Sequence, residues 1–405
     1  MKILHVNEHL ERKGGVETYL LSLLPMLEAR GIEGHVLYGQ GDTGLWESSS
    51  AVPEIGLSGF RHDAPARVQV NHVLRRERPD IVHIHNLQNL GALQACIDYG
   101  AVVMTTHDYR GICPANTFFF KRTGEICQKD CVDPGCFAAA VTKRCLTPRP
   151  SYAAYFYQYS RWNVENIHRF ARVIAPSAGA AWRLIRAGFP SESVTVLPYF
   201  CPIEPASEPR PLPEHPTITY MGRISPNKGH QYFVEALGKL PDTVRGVMVG
   251  NFRDDGEQFL RNLASRHGCE NRLELRQWAS REEVTKILDA TTVFIFPSTW
   301  PETLGIVGLE ALSRGVPVVA SDVGGVREWL EHARNGYLTV PGDSDEIVRH
   351  TRSLIDNPDR TIKFGHHGIQ TVRDRFLPAE HISRLIEAYE QAIDRAKSGY
   401  RAAYA

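Results

Sequence analysis

Short apolar runs alternate with amphipathic stretches along nearly the whole chain. In the first half, the runs expected to form strands are 2–7, 34–39, 80–85, 101–107, 172–177 and 194–199. The alternation restarts after residue 216, with further runs at 217–224, 245–250, 272–278, 292–298 and 316–322. Near-continuous Val and Ile runs are typical of strands that are covered on both faces, so the pattern predicts parallel sheets flanked by helices.

The amphipathic stretches between these runs predict helices. One spans 16–31 and closes with a glycine, and a final helix is expected over 380–397. The segment 201–216 holds six prolines in sixteen residues, which is typical of a linker. We therefore expect two doubly wound α/β domains, with a ligand cleft at the carboxyl ends of their sheets. The predicted parts are a first domain at 1–200 with an insertion at 113–145, the linker at 201–216, a second domain at 217–379, and a helix at 380–405 that crosses back to the first domain.

Composition restricts the class of protein. The chain has 405 residues, more than one core usually holds, and its 42% apolar and 23% charged residues are ordinary for a globular protein. The formal net charge of zero disfavours a nucleic-acid binder. The chain starts without the apolar core of a signal peptide and has no apolar run long enough to span a membrane, so a cytoplasmic protein is expected. There, the eight cysteines are thiols or metal ligands rather than disulfides.

The glycine pair Gly14–Gly15 lies between the first predicted strand and the first helix. Glycines there let the backbone approach a ligand, and a helix N-terminus offers free N–H groups to a phosphate. The surrounding sequence is not G-x-G-x-x-G, and no acidic residue ends a second strand at the usual place, which excludes a dinucleotide site. A tight turn is the alternative.

Two cations, Arg223 and Lys228, follow the first strand of the second domain, on the loop that enters the next helix. Positive charge at a helix start opposes the macrodipole, which is poor for stability but suited to holding a diphosphate. The pattern G-x-x-x-x-G-K-[ST] is absent, so this is not a P-loop. A pair of solvated surface charges is the alternative.

Two carboxylates, Glu302 and Glu310, lie in the otherwise apolar stretch PETLGIVGLEALSRG at 301–315. A half-buried carboxylate is costly unless a basic group or a ligand pairs with it. Glu302 follows a strand end, and Leu304–Gly305 begin a helix with unpaired N–H groups, so this loop is expected in the cleft. One glutamate can hold a ribose diol and the other a sugar hydroxyl. The alternative for Glu310 is an ion pair with Arg314, one helical turn on.

These motifs together resemble one family. Gly14–Gly15 before a helix, GRISPNKG at 222–229, and PSTWPETLGIVGLEALSRGVPVVASDVGG at 297–325 with its Glu-x7-Glu spacing are similar to family-4 glycosyltransferases (glycosyl transferases group 1), which have the GT-B fold. The resemblance covers nearly the whole chain. It implies a retaining transferase that uses a nucleotide-diphosphate sugar, with UDP as the expected nucleotide.

The resemblance also implies a role for each residue of the site. The implied contacts are Arg223 and Lys228 with the diphosphate, Gly14 and Gly15 with the phosphate from the first domain, Glu310 with the ribose, Trp278 and Ala279 with the base, and Glu302, Thr303, Leu304 and Gly305 with the donor sugar. His107, in TTHD, is similar to the family histidine beside the transferred sugar; a strand-end histidine capped by Asp108 is the alternative.

Two departures from the family pattern concern specificity. Thr303 and Leu304 follow the first glutamate where a glycine and an aromatic residue are usual, and this variant is expected to reshape the sugar pocket. Gln277 stands where family members often have a glycine, just before the backbone that contacts the base. The motif therefore does not identify which base is bound. No Asp-x-Asp pair stands out as a metal site, so we expect no catalytic divalent metal and a diphosphate stabilised by protein cations. The diphosphate then accepts the acceptor's proton in a same-face substitution; a covalent intermediate is the alternative.

The expected function is transfer of a hexosyl group to a glycan or lipid-linked acceptor in surface or exported polysaccharide synthesis. A sugar phosphorylase or a hydrolysing nucleotide-sugar epimerase on the same fold is the first alternative. A metal- or redox-sensing binding module with a vestigial cleft is the second, and the intact set of Glu302, Glu310, Arg223 and Lys228 disfavours it.

Residues 137–186 hold eight Lys and Arg residues and a single acidic residue, Glu165, together with the aromatic run SYAAYFYQYSRW at 151–162. Basic and aromatic helices suit an anionic membrane surface, which predicts a peripheral protein at the inner face of the cell membrane. The alternative is a core helix whose aromatic side chains pack on the sheet.

Five cysteines lie between residues 113 and 145, directly after His107. An isolated insertion in a reducing compartment needs a staple, which predicts a structural zinc site, with an iron–sulfur cluster as a variant. The resemblance favours Cys113, Cys127, Cys131 and Cys145 as ligands, with Cys136 as the substitute. Five ordinary thiols in a loop are the alternative.

Overall fold

The computed structural model describes residues 1–12, 14–252, 256–277 and 280–398. Within it the chain forms two compact units. The first unit comprises Met1–Thr123, Cys127–Tyr199 and Ala379–Ala405, and the second comprises Gly124–Ile126 and Phe200–Pro378.

The first unit contains a seven-stranded parallel sheet in the order β3-β2-β1-β4-β5-β6-β7. Its strands are β1 (Lys2–Leu10), β2 (Glu33–Gly41), β3 (Ser49–Ala51), β4 (Ile81–Ile84), β5 (Val102–Thr105), β6 (Arg172–Ala175) and β7 (Val194–Val196). The chain starts at β1, winds outward to β3, and then continues from β4 to the opposite edge. The point between β1 and β4 is therefore the switch point of this sheet.

The second unit repeats this arrangement with a six-stranded parallel sheet in the order β10-β9-β8-β11-β12-β13. Its strands are β8 (Thr217–Met221), β9 (Arg245–Val249), β10 (Leu273–Arg276), β11 (Val293–Phe296), β12 (Val318–Ser321) and β13 (Gly336–Thr339). Here the switch point lies between β8 and β11. Every residue of β4, β11 and β12 is buried, which explains their continuous apolar runs.

Helices connect the strands of both sheets. Their bounds are α1 (Gly15–Glu28), α2 (Phe60–Glu77), α3 (Leu90–Tyr99), α4 (Gly135–Thr142), α5 (Pro150–Glu165), α6 (Ala178–Arg186), α7 (His230–Lys239), α8 (Gly256–Arg266), α9 (Arg281–Asp289), α10 (Ile306–Ser313), α11 (Ser344–Ile355), α12 (Pro358–Arg375) and α13 (Pro378–Lys397). The prediction of two Rossmann-like parallel-sheet domains is confirmed.

Several predicted bounds need correction. The first helix begins at Gly15 and ends at Glu28, three residues before the glycine that was expected to close it. Two strands, β3 and β13, lie outside every apolar run chosen from the sequence, because β3 has only three half-buried or exposed residues and β13 begins with glycine. The predicted insertion includes α4, a helix without a buried residue.

The proline-rich segment 201–216 is part of the second unit and is fixed by contacts within it. Ala206 donates its N–H to the Ser313 carbonyl oxygen at 2.8 Å. Arg210 forms an ion pair with Asp289 at 2.8 Å, and Asp289 also binds Arg314 at 2.9 Å. These contacts give a segment without helix or strand a defined course along the sheet-bearing unit.

Candidate active site

A buried ion pair between Lys228 and Glu302 lies at the switch point of the second unit. Lys228 follows β8 and Glu302 follows β11, and these two strands are neighbours in the sheet. The Lys228 Nζ atom lies 2.7 Å from Oε1 and 3.0 Å from Oε2 of Glu302. Ligands of open α/β sheets bind at switch points, so two residues predicted to hold a donor lie where the topology offers a site.

The Lys228–Glu302 pair is largely shielded from solvent. The side chains of Lys228 and Glu302 are 19% and 4% exposed. Burial lowers the pKa of Lys228, the Glu302 charge opposes that shift, and the Arg223 charge adds to it. The Lys228 ammonium lies 4.8 Å from the centre of the Trp300 ring, and Ser298 donates a hydrogen bond of 2.5 Å to Glu302. The result is a preorganised cation and carboxylate with little surrounding water.

The backbone of Glu302 is fixed by a glycine pair in the loop after β12. Gly324 has φ +50°, and a Cβ there would lie 2.1 Å from the Glu302 carbonyl oxygen. Gly325 donates its N–H to that same oxygen at 2.8 Å. No larger side chain is accommodated at Gly324. Sequence reasoning assigned these glycines no role, although a Gly-Gly pair that begins three residues after the end of β12 was the available signal.

The start of α10 is held firmly against the core. Gly305 precedes Ile306 with φ +95°, and among the described residues no side chain caps the helix. The fully buried Trp329 donates from Nε1 to the Leu304 carbonyl oxygen at 2.8 Å, and a Cβ on Gly308 would lie 2.3 Å from the Trp329 ring. A helix start without a side-chain cap suits phosphate or sugar oxygens.

The second predicted carboxylate, Glu310, lies on α10. The Glu310 carboxylate makes no hydrogen bond or ion pair with any residue that the structure describes. Arg314 pairs with Asp289 instead, so the alternative of a Glu310–Arg314 pair is wrong. Burial raises the pKa of Glu310 to about 7, and the Arg281 charge acts against that shift. An uncompensated carboxyl group of this kind suits a diol, which can donate two hydrogen bonds to it.

Arg223 lies on the loop after β8 with an exposed side chain. The Tyr220 hydroxyl donates to the Arg223 carbonyl oxygen at 2.9 Å, which holds the loop against its strand. Gly229 ends the loop with φ +71°, and a Cβ there would lie 1.8 Å from the Pro297 carbonyl oxygen. The loop therefore turns tightly between β8 and α7. The predicted base-lining pair Trp278–Ala279 lies outside the described residues.

In the first unit, the predicted pair Gly14 and Gly15 forms the start of α1, directly after β1. Gly14 has φ +94°, and a Cβ there would lie 2.5 Å from the Glu17 carboxylate. A Cβ on Gly15 would meet nothing within 4 Å, so the turn is open on that side. Burial raises the pKa of Glu17, and Asn7 donates to this carboxyl group at 3.3 Å. The backbone thus requires one glycine, and the other leaves space.

His107 is partly exposed just after β5 and is held by both ring nitrogens. Its Nε2 lies 3.0 Å from His85 Nδ1, and its Nδ1 lies 2.7 Å from the Tyr199 hydroxyl. Desolvation lowers the pKa of His107 to about 3. Asp108 is instead bound by Arg110, whose Nε and NH2 contact its two oxygens at 2.9 and 2.8 Å. The Asp108 carboxylate is therefore bound by Arg110.

Sequence reasoning missed the histidine cluster behind His107. His5 on β1 pairs in register with His83 on β4, and His85 lies two residues further on the same face. All three are buried. His83 Nδ1 lies 2.7 Å from the Tyr389 hydroxyl and His83 Nε2 lies 2.7 Å from the Thr105 hydroxyl. The alternating histidines of DIVHIH were the available signal.

The five cysteines of 113–145 do not fit a tetrahedral metal ion in this arrangement. No three of their sulfur atoms lie within 4.8 Å of one another. Thiolates held about 2.3 Å from one zinc ion would lie about 3.8 Å apart. The prediction of structural zinc is therefore not supported by the geometry. Burial raises the pKa of Cys113 to about 12.

The aromatic face of α5 belongs to the core. Tyr155 and Tyr159 are buried. The Tyr155 hydroxyl donates to Asp63 at 2.7 Å, and the Tyr159 hydroxyl donates to the Leu87 carbonyl oxygen. These contacts match the core-helix alternative for the predicted basic and aromatic segment.

The basic residues of that segment are partly neutralised. Arg161 pairs with Glu165, and Arg169 pairs with Asp98, both at 2.6 Å. Among the residues described, no helix combines the length and apolarity that a membrane crossing requires. Exposed apolar side chains of the segment lie on α4 (Phe137 and Val141), on α5 (Tyr152) and on α6 (Trp182 and Ile185).

Two family descriptions match consecutive parts of this chain. Residues 13–204 match Glycosyltransferase Family 4, and residues 204–371 match Glycosyl transferases group 1. Together the two matches span most of the sequence, in the order of the two units. The protein belongs to this glycosyltransferase family, as the sequence motifs predicted.

Curated relatives are moderately similar. An alpha-maltose-1-phosphate synthase of Mycolicibacterium smegmatis is 29% identical over 209 residues, which are 47% of this chain and 53% of that enzyme. The chain thus spans about half the length of this relative. The lipopolysaccharide core biosynthesis glycosyltransferase LpsE of Rhizobium meliloti is 25% identical over 388 residues, which are 93% of this chain and 95% of LpsE.

Solved structures share the fold along the whole chain. Anabaena HepE in complex with UDP-glucose superposes with a TM-score of 0.73 at 22% identity, covering 96% of this chain and 99% of HepE. Sucrose-phosphate synthase from Thermosynechococcus elongatus gives a TM-score of 0.75 at 17% identity, covering 96% and 98%. The fold is GT-B, as predicted.

Proposed function

We propose that this protein is a retaining glycosyltransferase that moves a hexosyl group from a UDP-sugar to a glycan or lipid-linked acceptor. The observation that carries the proposal is the buried Lys228–Glu302 pair at the switch point of the second unit. A buried cation next to an exposed Arg223 suits an anionic ligand, and the uncapped start of α10 suits its oxygens. HepE, which was solved with UDP-glucose, supports UDP as the nucleotide.

Within this proposal, Lys228 and Arg223 bind the diphosphate. Negative charge grows on the diphosphate as the sugar leaves, and cations that are already in place stabilise it without reorganisation. Glu302 keeps Lys228 oriented before the donor arrives, because the pair spans two fixed strand ends. Glu302 also supplies an acceptor for a sugar hydroxyl, and Glu310 does so for the ribose.

The proposal requires no catalytic divalent metal. Among the described residues, the only group of three or more potential ligand atoms within 4.8 Å of one another is that of His5, His83 and His85. These side chains are buried neutral imidazoles rather than the carboxylates that Mg²⁺ prefers. Gly14, Gly15 and His107 are the residues that the proposal takes from the first unit.

Surface or exported polysaccharide is the proposed destination of the sugar. LpsE, a lipopolysaccharide core biosynthesis glycosyltransferase, aligns with nearly the full chain and supports this part of the proposal. The protein is proposed to act in the cytoplasm, at the inner face of the membrane.

A nucleotide-sugar panel tests the donor. We expect a UDP-sugar to raise the unfolding temperature, since a bound ligand stabilises the folded state by mass action. The product formed with an acceptor should keep the anomeric configuration of the donor in proton NMR, with and without EDTA. An inverted product, or activity that EDTA abolishes, contradicts the mechanism. Sugar phosphate or free UDP formed without an acceptor points to the phosphorylase or epimerase alternative.

Membrane association is proposed through α4 rather than α5. Phe137 and Val141 are 46% and 78% exposed, and Lys143 follows them directly. Apolar side chains beside basic residues suit an anionic lipid surface. Phe137→Ser with Val141→Ser should weaken co-sedimentation with phosphatidylglycerol vesicles, whereas Ile362→Ser on the exposed side of α12 should not. Equal sedimentation of all variants, or no sedimentation of the wild type, contradicts this part.

A further inference from the structure

A chain of close polar contacts connects three histidines to a tyrosine in the first unit. His5 Nδ1 lies 3.1 Å from His85 Nε2, and His85 Nδ1 lies 3.0 Å from His107 Nε2. His107 Nδ1 lies 2.7 Å from the Tyr199 hydroxyl. The contacts run from the fully buried β1 position to the partly exposed His107. We call these four residues the histidine relay.

Neutral imidazole carries a proton on one nitrogen and accepts on the other. If His107 carries its proton on Nε2, it donates to His85, and His85 in turn must donate from Nε2 to His5. If His107 carries its proton on Nδ1, then His85 and His5 must also carry theirs on Nδ1. The hydrogen bonds are therefore all made only when the three rings have the same tautomer.

The two ends of the relay decide which tautomer that is. His5 Nε2 is buried without a hydrogen-bond partner among the residues described. At the other end the Tyr199 hydroxyl either donates to His107 or accepts from it. A change at His5 is thus transmitted through His85 to His107, although His5 does not contact His107 by any of these bonds.

A metal ion is the competing explanation for three buried histidines. Potential ligand atoms of His5, His83 and His85 lie within 4.8 Å of one another. However, five of the six ring nitrogens in this group are already in hydrogen-bond contact, which leaves His5 Nε2. Hydrogen bonds therefore account for the arrangement.

We propose that His5 and His85 are positioning residues that fix the tautomer and the ring orientation of His107. The proposal rests on the proposed function in one respect, namely that His107 acts beside the transferred sugar. Which nitrogen of a histidine carries the proton is set by the hydrogen bond that the other nitrogen makes, so the tautomer of His107 is tied to that of His85 and His5. His5 and His85 have no other role in the proposed chemistry.

Histidine tautomers can be read directly by NMR of the ¹⁵N-histidine-labelled full chain, because protonated and bare ring nitrogens have different shifts. We expect His5, His85 and His107 to show one common tautomer. His5→Phe should convert His107, two rings away, into a mixture, and Tyr199→Phe tests the same coupling from the opposite end if His5→Phe does not fold. Different tautomers among the three wild-type rings, or a His107 that neither variant changes, would overturn the proposal.

His83→Phe is the matched control. His83 is as buried as His85 and its ring centre lies 4.1 Å from that of His85, yet its nitrogens contact Tyr389 and Thr105 rather than the relay. It should leave the His107 tautomer unchanged. Stoichiometric metal that His83→Phe releases would also overturn the proposal.

Kinetics link the relay to the reaction. His85→Phe should lower kcat on the order of tenfold with the donor KM within about twofold, by analogy with partners that orient metal-bound histidines, whose loss typically costs about 10- to 100-fold. His83→Phe should change neither constant. If the wild type transfers no sugar from any nucleotide sugar, the proposed function is wrong. The tautomer measurement still tests the coupling between the histidines in that case. An active wild type whose kcat is equal in His85→Phe would end the positioning role alone.

Discussion

Between β8 and β11 the second unit buries an ammonium and a carboxylate, whereas between β1 and β4 the first unit buries three imidazoles. Both sites occupy the switch point of a parallel sheet with the same winding, so topology alone does not set their chemistry. The second unit has the charges that a diphosphate leaving group needs. The first unit has neutral hydrogen-bonding groups, because desolvation without a counter-charge lowers the pKa of His83 and His85 well below the ordinary value.

The difference shows that two copies of one fold in the same chain can bury different chemical groups, charged in the second unit and neutral in the first. A charged pair is selective for an ionic ligand and costs stability if one partner is lost. A neutral network orients groups without attracting ions and remains satisfied only while its tautomers agree. Each property can be removed by one substitution, and the expected effects are given in decreasing order.

Removal of the second unit's cations should have the largest effect. Lys228→Ala and Arg223→Ala should each lower kcat by about 100-fold, since one preorganised contact to a developing charge is worth on the order of 3 kcal/mol. Lys228→Ala also leaves Glu302 buried without its cation, so its unfolding temperature should fall. Steady-state kinetics with the donor found in the panel provides the measurement.

Lys239→Ala is the control, because Lys239 lies on α7 of the same unit and pairs with Glu235 and Asp345 at a more exposed position. It should retain wild-type turnover. Near-normal turnover in the double variant Arg223→Ala with Lys228→Ala would refute the assigned mechanism.

Glu310 should make the second unit sensitive to alkaline rather than acidic conditions. Its pKa of about 7 lies above the ordinary 4.5, so between these values the folded protein binds more protons than the unfolded chain. Stability therefore falls as pH rises through that window and stays lower above it, by about 2 kcal/mol after allowance for partial exposure. Glu310→Gln should remove this dependence.

Urea unfolding at pH 5, 6, 7 and 8 measures this effect. The free energy of unfolding of Glu310→Gln should not fall between pH 5 and pH 7 as that of the wild type does. At pH 8 the variant should be more stable than the wild type. The exposed Glu270→Gln on the same unit should follow the wild type throughout. Parallel curves for wild type and Glu310→Gln would contradict the prediction.

The histidine cluster should give the first unit the opposite, weaker response. Histidines whose pKa is lowered by burial are neutral when folded but take up protons when unfolded, so stability is present above pH 6.5 and is lost as pH falls towards their folded values. His83→Phe removes one such group. Its stability deficit at pH 7, which comes from the unpaired Tyr389 and Thr105, should be smaller at pH 5.

Calorimetric unfolding temperatures at pH 7 and pH 5 test this, with His72→Phe as the control because His72 is exposed on α2. If the wild type and His83→Phe lose the same stability between pH 7 and pH 5, the prediction is wrong. In that case protonation of His83 does not lower the free energy of unfolding.

Much of this could be read from the sequence, for identifiable reasons. Buried parallel strands leave continuous apolar runs, so β4, β11 and β12 were predicted. The same pattern of a strand followed by a loop placed Lys228 and Glu302 after strand ends, where the structure has them. The strand β3 was missed because an edge strand with little burial has no apolar signature. A pattern along one strand could not show that His5 lies beside His83, because register between distant strands is a tertiary property.

The same limit explains the errors about partners. Spacing along a helix suggested that Arg314 forms an ion pair with Glu310. Arg314 instead pairs with Asp289, at the end of the preceding helix. Neighbouring positions suggested that Asp108 serves His107, but Arg110 binds Asp108. In both cases a group distant in sequence, or a stronger charge partner, competed with the local one.

The close approach of Gly324 to the Glu302 carbonyl oxygen has a consequence for laboratory evolution of this protein. In a library that varies the residues around Glu302, position 324 should return only glycine, and Gly308 should do so too because its Cβ would overlap the Trp329 ring. Thr303 already carries a side chain, and it is also a position at which the chain departs from its family. Selection for a new donor sugar should therefore enrich substitutions at Thr303, whereas Gly308 and Gly324 should not vary.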